Sequence, residues 1–381
     1  MMEKITAAYL HFPFCVRKCP YCDFVSFENC LEKRGEYTEA LIKEIERTEK
    51  DGAALRTIYM GGGTPSLFAP EQIRRVLTAL EGRFGIGENP EITIEANPGT
   101  VDPGSLSGYR EAGVNRISIG IQSFSDTLLQ TLGRIHSGEQ AVKAIEAAKS
   151  AGFSNISCDL MTGLPGQTLT DAEESLEILL EYEVPHISFY ALTLEEGTPY
   201  YRKYQAHDEL LPDPELERIM YRELLSRLKS SGYRHYEISN CAKPGFESRH
   251  NITYWKALPY YGFGCGAYSY RRDLRKGNTG DLGFYLAEMA KADPDPGIFL
   301  ADSERISAEE KKKEFMLLGF RLLEGVSPEE FYLRFGERME DLFEDRLARL
   351  TGRGLVLFEN GRYRLSESGL DFANEVFREF V

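Results

Sequence analysis

The sequence is poor in tryptophan, with one residue, and in histidine, with six. It is also short of positive charge: 45 lysines and arginines face 60 acidic residues, a net charge of -15. That deficit excludes the broad basic surface that collects nucleic acid or anionic lipid. Small molecules and other proteins are the expected partners, with at most peripheral contact to a membrane. No uninterrupted run of about 18 apolar residues is present to span a bilayer. No charged-then-apolar leader with a small-residue cleavage site is recognised, so a cytoplasmic protein is expected. The seven cysteines are an odd number, three crowded and four scattered. This argues against a disulfide framework and for reduced thiols with one metal site. The 381 residues, 42% apolar and 28% charged, are enough for one large domain and a smaller one.

Through residues 1–230, short β-branched runs alternate with amphipathic helical stretches. Strands are predicted at Ala7–Phe12, Thr57–Met60, Glu91–Asn97, Arg116–Gln122, Asn155–Met161 and His186–Leu192. Helices such as Tyr37–Lys50, Pro70–Phe84 and Ser137–Ala151 lie between them. Six βα units imply an α/β fold with a parallel sheet, and right-handed crossovers curl it into an open doubly wound sheet or an incomplete (β/α)6 barrel. Either form gathers chemistry at the C-terminal ends of the strands. Residues 231–303, rich in Tyr, Gly and Pro, read as a loop-rich annex. From 304 to 381, helices at about 307–323, 327–335 and 338–352, then a hairpin turning at Asn360-Gly361, read as a winged-helix-like α+β domain. Its third helix sets Glu340, Asp341, Glu344 and Asp345 against four arginines, which would repel phosphates. A structural or partner-docking role is therefore expected rather than DNA reading.

"HFPFCVRKCPYCDF" follows the first strand and places Cys15, Cys19 and Cys22 in the spacing C-x3-C-x2-C. Three thiolates can hold three corners of a metal centre, and both zinc and iron-sulphur clusters accept them. Structural zinc needs a fourth ligand, but His11 precedes the cysteines closely on the strand and Cys30 follows without motif spacing. A [4Fe-4S] cluster held by three cysteines leaves one iron open to a cofactor or substrate.

Here the chain resembles the radical S-adenosylmethionine (SAM) superfamily. The resemblance implies that the open iron binds the amino and carboxylate groups of SAM, and that an electron from the reduced cluster cleaves the sulphonium bond to give a 5′-deoxyadenosyl radical. It also matches "YMGGGTPS" to the loop that contacts the SAM amino group, making Gly62, Gly63 and Thr64 site candidates. Tyr9, Tyr21, Glu95, Gln122, Arg134 and Asp159 fall at matching strand ends or loops. Read without the resemblance, three glycines form either a tight turn or a place where backbone approaches a ligand, and polar residues commonly finish strands.

Along nearly its full length, from "YLHFPFC" through "GLPGQT" to the C-terminal module, the chain resembles the oxygen-independent coproporphyrinogen III oxidases and their relatives, the HemW-type haem chaperones. Two features depart from the oxidases. Phe24 stands where they carry a further cysteine, and the first strand starts at Ala7 where they have a substantial preceding segment. "RHNITYW" resembles the haem-binding H-N-x-x-Y-W of the chaperone branch. It makes His250 the candidate axial ligand of the haem iron, with Tyr254 and Trp255 as flat surface for the porphyrin. Cys241 reads as a buried inert thiol or a thiolate ligand, and residues 260–270 as an aromatic-packed turn or a porphyrin contact. The resemblance thus implies a [4Fe-4S] cluster, SAM and haem, a flavodoxin- or ferredoxin-type electron donor and haem-requiring recipient proteins, while a homo-oligomer stays open. Haem delivery is the expected function. The alternatives are decarboxylation of coproporphyrinogen III to protoporphyrinogen IX, or radical chemistry on an unrelated substrate with His250 incidental.

Overall fold

The computed structural model of the chain describes residues 4–294 and 300–381. Alternation along the strands builds its large sheet. The strands are β1 (Ala7–Phe12), β2 (Leu55–Gly62), β3 (Ile86–Ala96), β4 (Arg116–Gln122), β5 (Asn155–Thr162) and β6 (His186–Ala191). On them Ala8, Leu10, Ile58, Met60, Ile92, Ile94, Ile117, Ile119, Ile156, Leu160 and Ile187 enter the main apolar core, which they share with the surrounding helices. Successive side chains on a strand point to opposite faces. The intervening residues, among them Tyr9, Tyr59, Glu95, Ser118 and Asp159, therefore face the concave side. A parallel sheet covered on both faces usually reads as continuous apolar runs; this one keeps a polar and aromatic interior.

The six strands pair in parallel in chain order, with Tyr9 opposite Tyr59, Glu95 opposite Ser118 and Asp159 opposite Ser188. β1 and β6 do not meet, so the barrel is incomplete, as expected. Residues 231–303 were expected to be loop-rich, yet they thread through the fold. They form β7 (Arg234–Glu237) and β8 (Asn240–Ala242), which extend the sheet beyond β6, and β9 (Tyr261–Phe263), which pairs in parallel with β1. They also supply helices Arg249–Trp255 and Leu282–Ala290, and Leu282, Tyr285, Leu286 and Met289 join the main core. Such short elements carry too few residues to display a period. A small antiparallel sheet joins β10 (Tyr268–Arg271), β11 (Leu274–Asn278) and β12 (Leu300–Arg305).

A separate core of Met316, Phe320, Phe331, Phe343, Leu347 and Leu350 organises the C-terminal part. Helices Ala308–Gly319, Pro328–Phe335 and Met339–Gly352 lead to β13 (Val356–Glu359) and β14 (Arg362–Leu365). The turn between them has Asn360 at φ 52° and Gly361 at φ 75°, the left-handed pair that a tight hairpin requires. The first of these helices stops at Gly319, short of the expected 323, because the next residues pair with the β7–β8 hairpin: Ile238 N donates to Arg321 O at 3.1 Å and Leu323 N to Tyr236 O at 3.0 Å. No helix among the described residues is long and apolar enough to cross a membrane.

Candidate functional site

The loop after β1 is pinched at its neck. Cys15 N donates to Phe27 O at 2.9 Å and Phe27 N to Pro13 O at 2.8 Å, while the buried Phe14 packs edge-on against Tyr37 and Phe68. The loop thereby holds its three thiols at the C-terminal ends of the strands. Cys15, Cys19 and Cys22 border one cavity of about 190 Å3, together with Tyr21, Gly62, Gly63, Thr64, Glu95, Gln122, Arg134 and Asp159. All three cysteines are free and half-buried. Among the described residues no group of three His, Cys, Asp or Glu side chains is already gathered closely enough to hold a metal ion. Burial raises the Cys15 and Cys22 thiols above their ordinary range, so without a cation they stay protonated. The donor set nonetheless fits a cluster: three free thiols, two of them already receiving hydrogen bonds that favour thiolate. Thr64 Oγ1 donates to Cys15 Sγ at 3.7 Å and Arg134 Nη1 to Cys19 Sγ at 3.6 Å.

Gly63 is required here because a Cβ would sit 2.7 Å from Phe12 O, Phe14 N and Phe14 O, so only glycine lets the β2 loop lie against the cysteine loop. Gly62, at φ 106°, donates its N–H to Glu95 Oε2 at 3.1 Å, and Tyr59 OH donates to Glu95 Oε1 at 2.7 Å. Burial pushes the Glu95 carboxyl up to about 7 and the Asp159 carboxyl up to about 6. Gln122 closes β4 in a left-handed conformation, φ 69°, and accepts from Tyr190 OH at 3.2 Å. A non-glycine residue held there marks strain of the kind that collects at functional sites.

Tyr9 is the expected SAM-site residue that does not border this cavity. Its hydroxyl lies 2.9 Å from His11 Nδ1, while His11 Nε2 meets Val25 O at 2.7 Å. A carbonyl only accepts, so Nε2 carries the proton and Tyr9 donates. Asn97, Ser118, Gly120 and Tyr190 also line the cavity and were not singled out from the sequence. Asn97 follows Glu95 by two positions, and Ser118, Gly120 and Gln122 repeat the same spacing, so strand periodicity could have found Asn97, Ser118 and Gly120.

The histidine motif lies at the opposite end of the barrel. His250 is 1% exposed; its Nδ1 is 3.0 Å from Thr57 Oγ1, its Nε2 is 2.8 Å from Tyr254 OH, and its ring stacks on Tyr59 at 5.2 Å. Burial lowers its pKa to about 3, so it is neutral, but both ring nitrogens are engaged. As packed, it presents no nitrogen to an iron. Trp255, half-buried, faces the C-terminal part of the chain, where Arg321 Cζ lies 4.4 Å from the ring centroid.

Residues 9–204 match the model of the radical SAM superfamily, and residues 306–372 match the HemN C-terminal domain. The chain is 37% identical to the heme chaperone HemW of Lactococcus lactis over 381 residues, covering 100% of this chain and 98% of that protein. It is 34% identical to the heme chaperone HemW of Escherichia coli, with 98% and 97% covered. Among solved structures, coproporphyrinogen III oxidase (HemN) from Escherichia coli superposes with a TM-score of 0.85 at 21% identity, over 99% of this chain and 90% of that one, which establishes a shared fold. SAM and a [4Fe-4S] cluster are the cofactors of the superfamily that the cysteine loop and its cavity fit. The chain belongs to the radical SAM superfamily and, within it, to the family of the HemW proteins.

Proposed function

We propose that this protein binds haem and delivers it to haem-requiring proteins in the cytoplasm or at the membrane surface. The observation that carries this reading is the end-to-end similarity to proteins named heme chaperone HemW, with the H-N-x-x-Y-W segment in place as His250, Asn251, Tyr254 and Trp255. Phe24 supports it: 62% exposed at the cavity wall, it sets an apolar ring where the oxidases carry a thiol.

Cys15, Cys19 and Cys22 would hold the [4Fe-4S] cluster, which supplies reductive cleavage of SAM when both are bound. Gly62, Gly63 and Thr64 offer backbone and hydroxyl groups to SAM, and Arg134 offers a cation. Glu95 and Asp159, whose carboxyls burial raises to about 7 and about 6, offer oxygens for hydrogen bonding to hydroxyl groups. Tyr21 and Gln122 complete the wall, while Tyr9, held to His11, stands outside it. A flavodoxin- or ferredoxin-type protein would supply the electron. Haem ligation is assigned to His250, with Tyr254 and Trp255 against the porphyrin, and it requires helix Arg249–Trp255 to leave the barrel floor.

The test is to incubate the reduced, anaerobically reconstituted protein with SAM and coproporphyrinogen III and to separate the porphyrins by chromatography. Unchanged coproporphyrinogen, with an intact cluster, is expected. Decarboxylated product over multiple turnovers would make the protein an oxidase.

A further inference from the structure

Helix Arg249–Trp255 is fastened at both ends. On the barrel side, the Glu91 carboxylate accepts from Arg249 N at 3.1 Å and His250 N at 3.0 Å, and His250 meets Thr57. On the other side, the C-terminal domain takes hold. Arg334 donates to Lys256 O at 2.7 Å and to Ala257 O at 2.6 Å, while Arg321 lies on the face of Trp255. Ala257, which ends this segment, has φ 50°, a left-handed backbone that a residue with a Cβ disfavours.

The second fastening is incomplete. Among the described residues, Glu237 Oε2, Asn240 Oδ1, Trp255 Nε1 and Arg321 Nε are all buried without a hydrogen-bond partner. They share one seam: Arg321 stacks on Trp255 and senses the Glu237 charge, and Asn240 bonds the other Glu237 oxygen. Uncompensated buried polar atoms weigh against a closed state. The two charge-assisted bonds from Arg334 weigh for it. Opening this seam would return four unpaired groups to water, on the Trp255 side of the helix that carries His250.

We propose that Arg321 and Arg334 are positioning residues of a latch. With the C-terminal domain docked, they hold helix Arg249–Trp255 on the barrel floor and keep His250 closed. With the latch released, the helix lifts and presents His250, Tyr254 and Trp255 to haem. The proposal rests on the haem reading above. It differs from a purely structural role in the sign of its effect: weakening the latch lowers protection of the helix and raises haem affinity.

The experiment measures amide hydrogen exchange on the full chain and, separately, haem affinity by absorbance titration, for wild type, Arg334→Ala and Arg334→Ala/His250→Ala. Loss of two charge-assisted bonds is expected to speed exchange across residues 250–257 about tenfold and to tighten haem binding by a similar factor. The double variant should lose that gain. Unchanged exchange at 250–257, or faster exchange with wild-type or weaker haem affinity, would overturn the latch. Faster exchange with no haem bound by any form, wild type included, would instead overturn the haem reading. Should Arg334→Ala unfold the C-terminal domain, seen as lost protection around Phe331 and Phe343, Arg321→Gln carries the same test through the Trp255 face alone.

Discussion

Arg134 donates to Asn97 Oδ1 at 2.5 Å, and the same amide donates from Nδ2 to Thr64 Oγ1 at 2.9 Å. With Thr64 on Cys15 and Arg134 on Cys19, one asparagine closes a chain of contacts between two of the three loop cysteines. Asn97→Ala should weaken SAM binding to the reconstituted protein about tenfold, the usual cost of unpairing a charged donor, with iron content preserved. Asn97→Asp, which still accepts from Arg134, should lose less. Equal SAM affinity in calorimetric titrations of the three proteins would remove Asn97 from this role.

The close approach at Gly63 predicts a steric failure. In Gly63→Ala the new methyl meets backbone atoms that cannot swing aside, so the cysteine loop must shift. Reconstitution should then yield much less bound iron and sulphide while far-UV circular dichroism stays near wild type. Wild-type cluster content would show that the loops separate more easily than their packing suggests.

Cys19 stands at the junction of the cavity and the Arg134 contact. Cys19→Ala, reconstituted without oxygen, should lack the charge-transfer absorption of a [4Fe-4S] cluster. Unchanged iron and sulphide would show that the C-x3-C-x2-C triad is not the ligand set.

His250 predicts an acid-sensitive floor. The folded chain holds it neutral down to about pH 3, whereas the unfolded chain protonates it near 6.5. Protons therefore favour the unfolded state as pH falls below 6.5, and this residue alone removes up to ~1.4 kcal/mol per pH unit until about pH 3. Stability from urea unfolding should fall more steeply between pH 7.5 and 5 in wild type than in His250→Ala. Parallel slopes would mean that His250 titrates as an exposed residue does.

Much of this was legible because the signals are local. The cysteine spacing, the six strand-helix units and the Asn360-Gly361 hairpin each declare themselves within a few residues. Asn97 was not legible as a link, since its partners Thr64 and Arg134 lie 33 and 37 positions away, and only the curl of the sheet brings them together. The barrel floor was hidden for another reason. β7, β8 and helix Arg249–Trp255 are too short for any period to register, so a segment that extends the sheet and floors the barrel read as loop. The motif at His250 was visible, but its burial against Thr57 and Tyr59 was not, because those contacts come from β2.

Haem carriage is the central claim, and transfer tests it most directly. The reconstituted protein is loaded with haem, freed of excess and mixed with an apo form of a b-type haem protein, and the absorbance of the acceptor is followed. Saturable haem binding to this chain is expected, with movement of the haem to the acceptor faster than from an unrelated haem-binding protein. Absence of saturable binding, or transfer no faster than that control, would contradict it.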